Sequence, residues 1–453
     1  MKKVYWFFFA VVFCLITGCS TSDEQTESSE SEEQEQTESS EGEDEEQTPE
    51  DQQNTDTLVI DPFFSTQAMN LTNDERLNIS CVNDFTFRLF KSILNEANNE
   101  SVIISPLSVS YILGMLNNGA TGQTAQEIAS LLHFEQGDLE SANKLFQKLI
   151  YELPATDSNV KLQLANLLAV DKRVTLESAF QQNMEDFYKA KVALLDFTQN
   201  TAVDYINQWC NEQTEGMIPR VMEYGNINPE MKVSLVNAIY FNAPWHYAFK
   251  KGETKEKTFT TDDGCQNQLP MMHQIDILKY LYTETYSAIR IDYSEGGKWS
   301  MYLLLPHEGK TLSNIIHDLN GHTWAANMEK MVYAKVDVEL PRFEITHSYI
   351  LNNSLTTLGA PSLFMARNEF PYICQNEKDI FVSMIKHVAS IQVSEQGTKV
   401  SAVTHEMGNF SSDDDDGKGG SYVEPFHANR PFVYLIQEAS SGAIAFIGTY
   451  LGK

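Results

Sequence analysis

The stretch Val233-Ser234-Leu235-Val236-Asn237-Ala238-Ile239-Tyr240-Phe241 contains no charged residue and is dominated by large apolar side chains. Such a run predicts a strand buried on both faces, as in the interior of a sheet covered on both sides. The surrounding sequence offers the elements to cover it. Helical spacing is present over Asp84–Asn95, Leu107–Asn117 behind Pro106, Thr124–Leu132 behind a break at Gly122, Leu139–Leu153 and Thr201–Glu212. Strands are predicted over Val160–Val170, Met301–Leu305, Val336–Leu340 and Phe381–Ser394. Asn352–Leu358 reads as a short helix ended by Gly359, and Phe432–Gln437 with Ala443–Thr449 as a C-terminal hairpin turned at Ser440-Ser441-Gly442. No internal repeat or linker follows Leu58. Residues 58–453 are therefore expected to form one α+β domain, and the hydrophobic fraction of 42% allows a large core.

The N-terminal residues have a different character. Lys2 and Lys3 precede a continuous apolar run from Val4 to Ile16, too short to span a bilayer as a stable helix, so residues 1–19 are expected to be a signal peptide. The run ends in Leu15-Ile16-Thr17-Gly18-Cys19, which resembles the bacterial lipobox. That resemblance implies that Cys19 becomes an acylated N-terminus. Its acyl chains, at roughly 0.8 kcal/mol per buried CH₂, would anchor the protein in a membrane. An ordinary secretory signal that contains a Cys is the plainer alternative. Residues 20–57 are Ser, Thr, Glu, Gln and Asp with almost nothing apolar, and Thr21 to Asp56 holds sixteen acids and no Lys or Arg. Such a segment cannot bury enough surface to offset its ordering entropy, and it is expected to act as an extended tether. Together these features predict a protein of the bacterial cell envelope, lipid-anchored and displayed at the outer membrane surface.

Charge and motifs exclude several activities. A formal net charge of −31 repels a nucleic-acid backbone. The sequence contains no G-x-S-x-G, H-E-x-x-H or Walker A motif, so nothing in it supports a hydrolase. Asp413–Asp416 fails as an EF-hand, because the register set by Gly417 puts Ser412 and Val423 at the terminal ligand positions. No metal and no cofactor is expected. Cys81, Cys210, Cys265 and Cys374 have neither CxxC pairing nor His at ligand spacing, and are expected to be mostly buried thiols with room for one disulfide.

Several segments resemble, in order, those of the serpin family of protease inhibitors. They are Ile104-Ser105-Pro106-Leu107-Ser108 with Leu113-Gly114-Met115-Leu116 and Gly119-Ala120, and the Leu235–Phe241 run with Trp245, Phe249, Thr254 and Phe259. Pro270-Met271-Met272, Leu304-Leu305-Pro306 and Leu340-Pro341-Arg342-Phe343 follow. Phe426-His427-Ala428-Asn429-Arg430-Pro431-Phe432 and Phe446-Ile447-Gly448 complete the set. The resemblance covers about Phe85 to Lys453. It implies a mostly antiparallel five-stranded central sheet, two smaller sheets, eight or nine helices and an exposed reactive loop at about residues 395–425. It also implies a monomer that traps serine, and in some cases papain-like cysteine, proteases in a covalent complex. The protease forms an acyl-enzyme with the loop, and the cut loop then enters the central sheet as a new strand.

The stretch Ser394–Glu406, with no helical stripe, no large apolar residue and a run of small and β-branched residues after its glycine, reads as that strand in waiting. Glu395, Gln396, Gly397 and Thr398 match the family's hinge, and Thr398, Val400, Ala402 and Thr404 alternate onto one face. Lys399 stands where the family usually has Glu and should face solvent, whereas Glu406 falls on the inward face. Counting from Glu395 puts the scissile bond after Phe410 or after Ser411, with Ser412 following; counting back from Phe426 puts it near Lys418. Ser105, Ser108, Asn237 and His387 match a polar cluster under the sheet. Trp245, Arg342 and Glu395 match the point where the loop first inserts, and an Arg342–Glu395 ion pair is expected there. A serpin-fold surface protein that binds without trapping is the alternative.

Overall fold

The computed structural model describes residues 69–134, 138–367, 369–376, 380–399 and 422–453. In chain order these form α1 (Asn73–Glu96), β1 (Val102–Ile104), α2 (Pro106–Asn117), α3 (Gly122–Leu132), α4 (Leu139–Glu152), β2 (Lys161–Asp171), α5 (Ser178–Tyr188), β3 (Lys191–Leu195), α6 (Thr201–Gln213) and β4 (Val233–Pro244). Then come β5 (Lys255–Thr260), β6 (Gln266–Tyr282), β7 (Tyr286–Tyr293), β8 (Trp299–Pro306), α7 (Leu312–Asp318), α8 (Gly321–Glu329), β9 (Val332–Pro341), β10 (Phe343–Ile350) and α9 (Asn352–Thr357). The chain ends with β11 (Val382–Ser394), β12 (Gly397–Thr398), β13 (Glu424–His427), β14 (Phe432–Glu438) and β15 (Ile444–Tyr450).

The central sheet has the order β10-β11-β12-β4-β2-β3. It is antiparallel except that β11 runs parallel to β4 and β2 parallel to β3. Five strands are long and β12 is a two-residue insert. Every residue from Val233 to Phe241 is buried, and the two faces of β4 feed two cores. Leu235, Ile239 and Phe241 join the main core with α1, α2 and the second sheet. Val236 and Ala238 pack with Val203, Ile206, Trp209 and Cys210 of α6. A strand covered on both faces has no reason to alternate, which is why its sequence does not.

The two smaller sheets are joined into one path, β1-β15-β14-β8-β7-β6-β9-β13, with β5 alongside β6. The bridge is β6, whose early residues pair with β5 and whose last residues, Lys279–Tyr282, pair with β7. Helix α1 starts at Asn73, earlier than the apolar spacing at Asp84 predicts. A capping box sets the start: Thr72 N–H donates to Glu75 Oε2 at 2.7 Å and Glu75 N–H to Thr72 Oγ1 at 3.2 Å. The C-terminal hairpin turns at Ser440–Gly442, where the buried Glu438 carboxylate accepts from the Ser440 and Ser441 amides.

The expectation of mostly buried thiols, with room for one disulfide, is met in part. Cys81 and Cys265 are free thiols, half-buried and exposed. Cys210 is a free buried thiol whose pKa burial pushes up to about 12; Cys374 is also buried.

Gly448 sits where β1 crosses β15, with Tyr434 OH donating to the Val102 carbonyl at 3.1 Å beside it. A Cβ there would overlap both groups. Gly448→Ala is expected to cost about 1–3 kcal/mol by overpacking, read as a lowered denaturant midpoint.

Candidate functional site

The site lies where β11 ends and the chain turns back into the sheet. Between β11 and β4 the strands are paired directly from Val382↔Val233 to Ala389↔Ile239. Above that point they part, and β12 fills the gap, antiparallel to both: Thr398 lies opposite Val393 and Ala243, and Gly397 opposite Ser394 and Pro244. The hinge is thus not wholly outside the sheet, as an exposed loop from residue 395 onward would be. Its first two strand residues are already in register, and Thr398 is fully buried.

Each residue of the turn has a specific anchor. The Trp245 and Phe249 amides donate to the Gln396 and Glu395 carbonyls at 3.0 and 2.9 Å. Trp245 Nε1–H donates to the Ser394 carbonyl at 2.9 Å. The Trp245 ring stacks on Tyr293 at 4.5 Å, and Tyr293 OH is hydrogen-bonded to Thr398 Oγ1 at 2.6 Å. Gly397 has φ +145°, and a Cβ on it would overlap the Ala243 carbonyl oxygen. Only glycine fits both that dihedral and that approach.

Arg342 and Glu395 meet. Arg342 Nε–H donates to Glu395 Oε1 at 2.8 Å, Nη2 also donates to Oε1, and Thr254 OH donates to the same oxygen at 2.6 Å. Burial alone would raise the Glu395 pKa, but the Arg342 and Thr254 hydrogen bonds outweigh it and hold the carboxyl below its usual value. Lys399, with φ +35°, donates its amide to the Gln392 carbonyl at 2.7 Å. Its ammonium lies 5.0 Å from the centre of the Tyr240 ring, on the face opposite Thr398.

Deeper in the sheet, the polar cluster spans the paired part of the seam. Ser105 caps α2, accepting the Ser108 amide at 3.4 Å and donating its hydroxyl to Ser108 Oγ at 3.1 Å. The Ser105 amide donates to His387 Nε2 at 2.9 Å. An amide can only donate, so Nε2 must be the acceptor and the proton sits on Nδ1. That proton is directed at Asn237 Oδ1, 3.1 Å away on the neighbouring strand. Asn237 Nδ2 then donates to Asn166 Oδ1 at 2.9 Å, and Asn166 Nδ2 to the Tyr188 carbonyl at 3.2 Å. Burial pushes the His387 pKa down to about 3, so the imidazole is neutral in the folded state.

Ser105, Ser108, Asn237 and His387 thus form one network, and Trp245, Arg342 and Glu395 another. Val400, Ala402, Thr404, Phe410, Ser411, Ser412, Lys418 and Cys19 lie outside the described residues. Sequence reasoning missed Tyr293, which holds Thr398, and Asn166, which extends the Asn237 chain. Neither carries a local signal: both are ordinary strand residues until the fold brings them across. Among the described residues no group of three or more His, Cys, Asp or Glu could hold a metal ion.

Comparison with known proteins agrees with this fold. The family model described as Serpin (serine protease inhibitor) matches residues 80–452. The leukocyte elastase inhibitor of Homo sapiens is 31% identical over 377 residues, covering 81% of this chain and 97% of that protein. Serpin B6 of Macaca fascicularis is 29% identical over 378 residues, covering 81% and 96%. Among solved structures, the thermophilic serpin tengpin in its native state matches with TM-score 0.75 and 27% identity over 85% of this chain and 95% of that one. Thyroxine-binding globulin in complex with thyroxine matches with TM-score 0.74 and 25% identity over 82% and 98%.

His387 lets stability be read through pH. The unfolded chain takes up a proton near pH 6.5, the native chain only near 3, so the histidine's contribution is complete above pH 6.5 and is lost as pH falls. The stability advantage of the parent over His387→Gln should shrink by at most about 1.4 kcal/mol per pH unit between about pH 6.5 and pH 4. Denaturant melts of both proteins across that range read it; a pH-independent difference would contradict the assignment.

Proposed function

The chain belongs to the serpin family, and we propose that it inhibits serine endopeptidases, and papain-like cysteine endopeptidases, by suicide-substrate trapping. The observation that carries this reading is the two-residue strand Gly397–Thr398 held between β11 and β4. It sets a register that the following residues would continue on insertion. Extended down the sheet, that register would bring Val400 between Ile391 and Phe241, and Ala402 between Ala389 and Ile239. Thr404 would then come between His387 and Asn237, the pair whose hydrogen bond now closes the seam. A hydroxyl can donate and accept, so Thr404 suits the two groups that insertion would separate. Small residues at Val400 and Ala402 would limit overpacking beside Phe241 and Ile239.

The driving force follows from the hydrogen bonds. Insertion gives up the parallel pairing of β11 with β4 and gains two antiparallel ladders. About a dozen new ladder bonds, each worth roughly 0.5–1.5 kcal/mol net, would release on the order of 10 kcal/mol. Glu406 opposes it: in the same register it would lie between Ile385 and Leu235 in the main core, where an ionised carboxylate is costly. The bait is the Phe410–Ser411 bond, which suits an apolar-pocket protease; cleavage at Lys418 would leave more slack and favour escape. Anchoring through Cys19, with residues 20–57 as a tether, would hold the trap at the bacterial surface.

A binding role without trapping is the second reading, favoured by the likeness to thyroxine-binding globulin. Incubation with chymotrypsin, elastase, subtilisin, trypsin and papain, followed by a denaturing gel, separates the two. Trapping leaves a covalent band and a cleaved inhibitor that melts higher than the intact protein. Loop cleavage with neither sign supports simple binding. Thr398→Arg puts a guanidinium where a fully buried hydroxyl now meets Tyr293. It is expected to abolish the covalent band while the loop is still cut.

A further inference from the structure

The central sheet has an edge that its own strands leave open. β2 pairs with β4 over Lys161–Val170, but β3 joins it only from Leu167, opposite Lys191. Two bonds at the lower end of β2 show which peptide groups face the open side. The Asp171 amide donates to the Lys232 carbonyl at 2.9 Å, on the β4 side, and the Lys172 amide to the Leu195 carbonyl at 2.8 Å, on the β3 side. Direction alternates from residue to residue along a strand, so Leu162 and Leu164 turn their amides and carbonyls away from β4. Among the described residues no strand meets them there. An open row of such groups is a template for another extended chain, and native proteins cover or blunt the edges they do not use.

Beside this edge lies a cavity of about 400 Å³, floored by Gln163–Asn166. Helix α6 is one wall. It rises along the sheet from the Lys172–Asp196 ion pair (2.7 Å) at the lower end of β2 to the Lys161–Glu215 ion pair at the upper end. Tyr205, Trp209 and Glu212 therefore line the cavity in ascending order. Trp209 is buried in the second core, which makes that wall firm. The lower end is closed by the turn from α5 into β3, where Lys189 has φ +50°. Lys189 and Lys191 line the cavity at that end. The Lys189 ammonium rests 5.4 Å from the centre of the Tyr151 ring, and among the described residues neither lysine has a carboxylate partner.

We propose that this groove takes the C-terminal tail of another polypeptide, about four residues long, added to β2 as a parallel strand in line with β3. The outward peptide groups of Leu162 and Leu164 select an extended main chain. A strand that enters from above and runs parallel to β2 meets the Lys189–Lys191 turn and must stop there, so it arrives as a chain end. Two ammonium groups at that end match a carboxylate; the reverse direction would bring a terminal amine against them. Glu212, higher up, matches a basic side chain three residues before the terminus. The side chain one residue before the terminus points to the α6 side, where Tyr205 and Trp209 favour an aromatic or aliphatic group. The groove lies on the far side of β4 from Gly397–Thr398, so occupancy requires neither loop cleavage nor the trapping reading.

The test titrates the full chain with the peptide acetyl-Lys-Val-Phe-Val, its C-terminal carboxylate free, by calorimetry. Saturable binding below about 1 mM is expected. The same peptide ending in a carboxamide should bind about fivefold or more weakly. The free-acid peptide should lose as much on Lys189→Ala/Lys191→Ala, and its binding there should depend less on salt. Both lysines are exposed, so that variant should melt with the parent. A methyl group on the phenylalanine nitrogen removes the proton meant for the Leu164 carbonyl and should abolish binding. No binding of the free acid to the parent overturns the proposal. So does an affinity within about twofold for the carboxamide, for the methylated peptide or for the double variant.

Discussion

The pairing of β11 with β4 governs what this molecule can do. Both strands are covered on each face, β4 by the main core on one side and by α6 on the other. Their backbone amides and carbonyls cannot turn to water when the strands separate, so fraying is expensive. The pair can part only if something supplies the same hydrogen bonds at the same moment, and a third strand in register does that. Above Ile239 this has already happened, with Gly397–Thr398 in the gap. Below it, the neutral His387–Asn237 bond bridges the two strands, and His387 is held in one tautomer by the Ser105 amide at the start of α2.

The turn that feeds the gap is fixed more strongly than a loop of its length requires. Glu395 is buried yet ionised, because Arg342 and Thr254 both donate to one of its oxygens. Trp245 is fixed by its contacts to the Ser394 and Gln396 carbonyls and by its stack on Tyr293. These groups set the direction in which the chain leaves β11 and the face onto which Thr398 falls.

Much of this was legible in the sequence, for reasons that differ by element. β4 announced itself because burial on both faces removes alternation, and the C-terminal hairpin because its turn needs small and glycine residues. The resemblance carried Ser105, Asn237, His387, Trp245, Arg342 and Glu395, residues of types that do fixed jobs in the serpin fold. β6 was missed because its two halves answer to different partners, β5 and β9 first and then β7, so no single alternation runs through it. The early turns of α1 were missed because only the capping box marks them, and Leu77 there is exposed. Asn166 and Tyr293 have no local mark: their roles come from strands distant in sequence. The partial insertion of β12 was invisible because it depends on how far β11 and β4 stand apart, a distance no local pattern encodes.

The buried thiol on α6 has a practical use. Cys210 packs beneath the helix against the sheet, and a thiol with its proton held so tightly is almost never a thiolate at neutral pH. Alkylating reagents should pass it by while the helix lies flat. Any rearrangement that lifts α6 to let a strand through would uncover the sulfur and lower its pKa toward that of free cysteine. One native side chain thereby serves as a clock for a motion that takes place underneath it.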